Sequence, residues 1–466
     1  MLQKKSIFFG LEKYADRTAI FDQNEKKYSY KKLLKDSKLF NRFFLEKKLI
    51  IILADNYYEF VVFYLSAIVN NQAVIIVDTK ISYEDLSNLI KNYLPDFIFS
   101  NSLKKIENFK QVMKFKNFSL NMNKLKKKKF KMNNDLSLLL PTSGTTGQTK
   151  YVKLNNENLF DNTKKISEVL KIKKTDKTIT TMPPFYSYAL SIINTHLQNG
   201  ASIILNRHSL IDKSFWKLIE RLKPNNFNGV PYIFEILSKI NMNRLNFKSL
   251  RYITQAGGSL DGELKKKILN ICKKNKTNFF IMYGQAEASP RISILLLKSA
   301  EKNNSCVGTP LRGGKISLKN KKYNKYFKTY EGELIYEGKN VFAGYSNDYK
   351  DLKNEFRKIR ALNTGDIGYI KNNKIYITGR KKRIIKIFGI RISLDQLERE
   401  LRKNNFICSC GGDDKKLSVF IEKEQNFNIS KLNHDIQRIT NLNPRYFEVN
   451  TVDKFVRNRA GKIKHQ

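Results

Sequence analysis

Pro141-Thr142-Ser143-Gly144-Thr145-Thr146-Gly147-Gln148-Thr149-Lys150 decides how this chain is read. It follows the apolar run Leu138-Leu139-Leu140 and gathers hydroxyl side chains, two glycines and a lysine into ten residues. An apolar strand that breaks into such a turn presents backbone N–H groups, hydroxyls and a cation to one small volume. That volume suits a polyphosphate. Glycine lets the backbone come close, and lysine neutralises charge. The obvious rival is the Walker loop, which needs Gly, four residues, then Gly-Lys-Ser/Thr. It fails: counted from Gly144 the second glycine comes two residues early, and Tyr151 follows Lys150. An ordinary Ser/Thr/Gly surface loop would account for each residue singly but not for their order.

Outward from this loop, 466 residues are too many for one compact core, so two or more domains are expected. Apolar residues at 41% are ample for burial, and no run of eighteen predicts a membrane span. The first residues are basic, then briefly apolar, and reach Glu12 too soon for a secretory signal. Four cysteines argue against a disulfide scaffold, so a cytoplasmic setting is expected. Cys408-Ser409-Cys410 lacks the second pair that a zinc site needs. The net charge of +45 invites a nucleic-acid reading. Lysine is spread along the whole chain, however, beside abundant Asn and Ile, as a genome-wide bias would leave it. The one dense run, Lys124–Lys131, reads as a solvated linker. No nucleic-acid partner is expected.

Apolar runs of strand length alternate with longer amphipathic segments. Leu49–Leu53, Ala73–Val77, Ser202–Leu205, Phe227–Val230 and Tyr252–Gln255 predict strands. Tyr57–Val69, Lys213–Leu222 and Pro231–Ile240 predict helices. This order implies parallel sheets covered by helices. From about Gly308 short strands and turns follow: Lys315–Leu318, Gly332–Tyr336, Ile367–Lys371 and Lys374–Thr378. They suggest a small β-barrel or sheet. After Gly379-Arg380 comes a unit the size of a small α+β domain. The expected fold is α/β: residues 1–379 form a large domain of helix-covered sheets plus the small barrel, and residues 380–466 a small C-terminal domain.

The opening loop resembles the phosphate-binding signature of the adenylate-forming superfamily: acyl- and aryl-CoA synthetases, nonribosomal peptide synthetase adenylation domains and luciferases. It matches from Thr142 to Gly147 and at Lys150, and departs at Thr149 and Tyr151, where Pro and Gly are usual. The resemblance continues in the family's order. Tyr28-Ser29-Tyr30, Pro183–Leu190, Gly229-Val230-Pro231 and Gln255-Ala256-Gly257-Gly258 come first. Tyr283-Gly284-Gln285-Ala286-Glu287, Gly344-Tyr345, Thr364-Gly365-Asp366, Gly379-Arg380, Gly389 and Gly461-Lys462 follow.

The resemblance implies a two-step reaction. A carboxylate attacks the α-phosphorus of ATP, giving acyl-AMP and pyrophosphate, and a thiol then takes the acyl group and releases AMP. It implies nucleotide contacts from Thr142, Ser143, Gly144, Thr145, Thr146, Gly147, Gly257, Gly258, Tyr283, Gly284, Asp366 and Arg380, with Asp366 on the ribose hydroxyls. Glu287 would ligate Mg²⁺, which takes carboxylate and phosphate oxygens together. Lys150, Tyr186 and Lys462 are the implied catalytic group, with Lys462 reaching the carboxylate and the α-phosphate. Lys382 falls at the hinge about which the small domain moves, and Gly389 beside the thiol tunnel. Three residues depart from the pattern. Ala286 replaces a Thr and removes a donor worth about 1.5–3 kcal/mol. Val456 replaces a Pro, and Lys382 stands where Asp is commoner.

Relatives that activate amino acids carry an Asp after the Phe of this segment. Here Tyr186-Ser187 follows Phe185, so an α-ammonium would lack a counter-charge and an α-amino acid is disfavoured. With no carrier domain after Lys462 in this sequence, the expected acceptor is CoA or the phosphopantetheine of a stand-alone acyl carrier protein. The charge of +45 inclines the expectation to the carrier. A degenerate nucleotide-binding protein is the alternative, suggested by Ala286 and Val456 and opposed by Lys150, Glu287, Asp366, Arg380 and Lys462.

Overall fold

The computed structural model describes residues 6–101, 106–125, 132–142, 150–240, 242, 245, 247–298, 305–325, 327–354, 361–387, 390–425, 427–457 and 463. They group into two compact units. One takes Met1–Ala300, Pro310–Gly314 and Glu337–Leu362; the other takes Glu301–Thr309, Lys315–Tyr336 and Asn363–Gln466. The expected C-terminal domain, 380–466, lies wholly within the second. Most of the lysine-dense run, Lys126–Lys131, lies outside the described residues.

Two sheets build the first unit. In one, Leu49–Ala54 is buried at all six positions and Ala73–Asp78 at five of six. Such continuous apolar runs fit strands covered on both faces. The two pair in parallel and are joined through helix Tyr58–Val69, which is mostly apolar and has eleven residues buried, Glu59 and Ser66 among them. Leu136–Thr142 (β1) pairs parallel to Ala73–Asp78, and Lys150–Asn155 (β2) then returns antiparallel to β1. Tyr345–Ser346 closes that edge by pairing with β2. Phe97–Ser100, Phe118–Asn123 and Phe109–Phe115 complete the far side. The hairpin strands Phe109–Phe115 and Phe118–Asn123 escaped the sequence reading, because their lysines and asparagines interrupt the apolar alternation.

In the second sheet Lys177–Ile179 (β3), Asn226–Gly229 (β4), Tyr252–Gln255 (β5) and Asn278–Gly284 (β6) run parallel, side by side. Arg291–Leu296 (β7) caps β6 antiparallel. On the other flank stand Ser202–Ile204, Thr18–Phe21 and Lys27–Ser29. Helices Lys213–Leu222 and Pro231–Ile240 occupy the spans read from sequence. Among the described residues no helix is long and apolar enough to cross a membrane.

The second unit aligns Lys315–Asn324, Thr329–Glu337, Ala361–Lys371 (β8), Lys374–Arg380 (β9) and Cys306–Pro310 in that order. An α+β portion follows. Helices Leu394–Lys403 (α2) and Ile429–Thr440 pack with the strands Cys408–Gly412, Leu417–Glu422 and Phe447–Val452 around Ile387, Leu401, Val419 and Leu432.

Helix Ser187–Gln198 (α1) lies on the second sheet with polar contacts at its centre. His196 Nδ1 lies 2.8 Å from the Ile192 carbonyl, which can only accept, so Nδ1 carries the proton and Nε2 accepts from the Tyr252 hydroxyl at 3.2 Å. Burial pushes His196 from an ordinary 6.5 down to about 4. On acidification the unfolded chain therefore protonates first. The contribution is whole above pH 6.5 and is lost as pH falls towards 4, by about 3 kcal/mol. Urea midpoints at pH 7 and pH 4 should separate more for the native chain than for His196→Gln; equal separations would contradict the assignment.

Candidate active site

Parallel strands all end on one side of their sheet, and the segments leaving those ends form the crevice where α/β folds bind ligands. Register places β4, β5 and β6 level, with Gly229 beside Gln255 and Gln255 beside Ile281. The chain leaves β3 through Pro183–Tyr186, β4 at Val230-Pro231, β5 at Ala256–Gly258 and β6 at Gln285–Glu287. The residues singled out in the sequence thus collect at one edge. Tyr186 is the N-cap of α1, its ring 4.4 Å from Phe185. Gly257 has φ +85°, and a Cβ there would stand 3.1 Å from Val230 Cγ1. At Gly258 a Cβ would stand 3.3 Å from Pro231 Cγ. These glycines let the turn after β5 close over the one after β4. A Cβ on Gly284 would fall 1.9 Å from the Pro290 carbonyl oxygen, so the packing of the β6–β7 hairpin alone demands that glycine. Tyr283 is buried at the end of β6.

On the other sheet Thr142 ends β1 directly opposite Lys150, which begins β2, and the Thr142 hydroxyl donates to the Lys150 carbonyl at 3.2 Å. Both ends of the glycine–hydroxyl segment are therefore fixed side by side. Ser143, Gly144, Thr145, Thr146 and Gly147 lie outside the described residues.

Glu287 is tied to β2 by the segment 342–346. The Phe342 N–H donates to the Glu287 carbonyl at 2.9 Å. The Ala343 N–H donates to the Lys153 carbonyl, and the Lys153 N–H to the Gly344 carbonyl. Tyr345 pairs with Val152, and its hydroxyl donates to Glu287 Oε1 at 2.8 Å. Burial, then the Glu287 carboxylate, raises the Tyr345 phenol well above its ordinary range, so it stays a donor. The turn itself is held by carboxamides. Asn340, fully buried, donates to the carbonyls of Ala288 at 2.6 Å and Arg291 at 2.9 Å, and Asn158 holds the carbonyls of Lys339 and Val341. Tyr345 was quoted in the sequence only as part of a motif. Asn158 and Asn340 carried no signal there, since their partners are remote in the chain.

In the second unit Asp366 and Arg380 face each other across β8 and β9, with Arg380 Nε 3.3 Å from Asp366 Oδ1. Gly365, at φ +72°, makes the turn, and the Thr364 hydroxyl donates to the Leu334 carbonyl while accepting from the Asp366 N–H. Lys382 lies exposed in the 3-10 turn Lys381–Arg383. Its neighbours are braced: Arg383 binds Asp395 and Glu398, and the Arg399 guanidinium donates to the Thr378 carbonyl. Gly389 and Lys462 lie outside the described residues.

Among the described residues no three His, Cys, Asp or Glu side chains cluster as a metal site. Glu287, with Tyr345 on one oxygen, would hold a cation whose remaining ligands are phosphate oxygens and water. That donor set fits Mg²⁺ bound with a nucleotide.

The chain belongs to the AMP-binding enzyme family, whose model matches residues 9–346. It is 28% identical to 4-coumarate–CoA ligase CCL1 of Humulus lupulus over 57% of this chain and 50% of that one. It is 28% identical to oxalate–CoA ligase of Saccharomyces cerevisiae over 60% and 51%. The matched stretch thus spans about half the length of these two relatives. To D-alanine–D-alanyl carrier protein ligase of Staphylococcus aureus it is 24% identical over 81% of this chain and 78% of that one. In fold it is similar to O-succinylbenzoate coenzyme A synthetase from Bacillus subtilis, solved with ATP and magnesium, at TM-score 0.76, 20% identity and 97% coverage of each chain.

If Tyr345 orients the metal-binding carboxylate, Tyr345→Phe should weaken the Mg²⁺ dependence of ATP binding about tenfold, and Glu287→Gln more. Calorimetric titration of ATP across a Mg²⁺ series is the check. Superimposable curves for all three proteins would remove Glu287 from the metal site.

Proposed function

We propose that the protein activates a carboxylic acid as its acyl-adenylate, releasing pyrophosphate, and transfers the acyl group to a phosphopantetheine thiol. One observation carries this reading: Glu287 is bonded through Tyr345 and residues 342–344 to β2, the strand that begins at Lys150. A single carboxylate is thereby held against the hairpin of the phosphate-loop sequence.

The chemistry asks for this arrangement. Attack by a carboxylate on a phosphate brings negative charges together, so cations and fixed donors must meet them. Lys150 and the donors of residues 142–147 take the β- and γ-phosphates. Mg²⁺ at Glu287 would neutralise charge on the leaving pyrophosphate. Tyr283 offers an aromatic wall to adenine, Asp366 accepts from the ribose hydroxyls, and Arg380 adds positive charge. Tyr186 borders the acid, and Lys462 approaches the carboxylate and α-phosphate during the first half-reaction. Residues 380–466 then turn about Lys382 to bring Gly389 to the thiol. The acceptor is CoA or a carrier protein. The net charge of +45 favours an acidic carrier, and the salt dependence of transfer to each decides. Four buried free thiols favour a reducing compartment, the cytoplasm.

Acid-dependent ATP–pyrophosphate exchange tests the reading. Lys462→Ala should suppress exchange by at least about 100-fold while leaving thioester formation from supplied acyl-AMP within a few-fold of native. Equal loss of both half-reactions would remove Lys462 from its role. ATP binding without exchange for any acid would leave only a nucleotide-binding protein.

A further inference from the structure

Arg291 is 2% exposed, and its guanidinium is met by no carboxylate among the described residues. Its Nε is buried and has no hydrogen-bond partner among the described residues. Two other arginines have acidic partners: Arg251 binds Asp176, and Arg383 binds Asp395 and Glu398. Among the described residues the Tyr188 ring is what faces the Arg291 cation, its centroid 4.8 Å from Cζ. Burial accordingly pushes this guanidinium down to about 10.

The backbone of the same residue is fully served. Its N–H donates to Asn162 Oδ1 at 3.2 Å, and its carbonyl accepts from Asn162 and Asn340, each at 2.9 Å. The residue is thus held firmly while its charge is left open. Its surroundings add to the demand for an anion. Tyr188 lies in the first turn of α1, so the ring that meets the guanidinium belongs to the positive end of that helix. The Tyr188 hydroxyl is engaged with Thr254 at 2.6 Å and so keeps the ring in place.

The triphosphate is assigned above to the segment between Thr142 and Lys150, whose ends belong to the other sheet, so the anion that belongs at Arg291 is a separate one. On the ligase reading it is carried by the acid, which that reading places beside Tyr186, two residues before Tyr188. An apolar acyl chain would leave this buried guanidinium without a counter-charge. An α-ammonium would be repelled outright. We propose that Arg291 is the specificity-determining residue of the acyl site and that the substrate is a dicarboxylic acid: one carboxylate is activated and the other pairs with Arg291. This rests on the ligase reading above.

The test is ATP–pyrophosphate exchange by the full chain with matched pairs: malonate and propanoate, succinate and butanoate, glutarate and pentanoate, phthalate and benzoate, with D-alanine as the cationic arm. The best diacid should exceed its monoacid partner in kcat/KM by about 100-fold or more, and D-alanine should be inert. Arg291→Met should abolish that preference, and Arg291→Lys should raise the diacid KM while largely retaining kcat. Should the variants not fold, the native chain still decides. Exchange that is as fast with monoacids as with diacids, or fast with D-alanine, overturns the proposal and leaves the ligase standing. No exchange with any acid, with ATP binding intact, overturns both.

Discussion

A parallel strand must be followed by a crossover, and this requirement orders the first unit. Because β3 to β6 run the same way, Pro183–Tyr186, Val230, Ala256–Gly258 and Glu287 leave the sheet at one edge, although they span over a hundred residues of sequence. The crevice is a consequence of pairing direction, and the side chains within it are free to specialise.

What direction alone does not provide is a link to the second sheet, where β1 and β2 frame the phosphate-loop sequence. Residues 340–346 provide it. Asn340 fixes the turn that carries Glu287, three backbone hydrogen bonds lead from that turn to β2, and Tyr345 returns a hydroxyl to the Glu287 carboxylate. Asn340, Glu287, Phe342 and Ala343 are buried while Tyr345 is partly open to solvent, and each buried donor or acceptor left unmet costs about 1–3 kcal/mol. The geometry at Glu287 is therefore held by many satisfied polar groups at once, as the proposed role beside concentrated phosphate charge requires.

Local order in the chain made much of this legible. The runs Leu49–Leu53 and Ala73–Val77 are strands because they are apolar throughout, and Tyr252–Gln255 and Pro231–Ile240 stand where periodicity puts them. Thr142 and Lys150, which flank the glycine–hydroxyl segment in the sequence, pair with each other at the ends of β1 and β2. Long-range contacts left no comparable mark. Asn340 meets Ala288 and Arg291 across about fifty residues, and nothing beside it distinguishes it from other asparagines of an Asn-rich chain. Arg291 was one of 87 basic residues until its burial set it apart. Gly284 entered the sequence reading as a nucleotide contact, whereas the Pro290 carbonyl is reason enough for it. Only coordinates separate a glycine kept for a ligand from one kept for a neighbour.

The central claim is that a carboxylate oxygen attacks the α-phosphorus of ATP. Isotope transfer reads that bond directly. With an acid labelled with oxygen-18 in its carboxylate and a thiol acceptor present, one labelled oxygen should appear in AMP, and unlabelled pyrophosphate should be released in equal amount. AMP without label, or ADP and phosphate in place of AMP and pyrophosphate, would contradict the account.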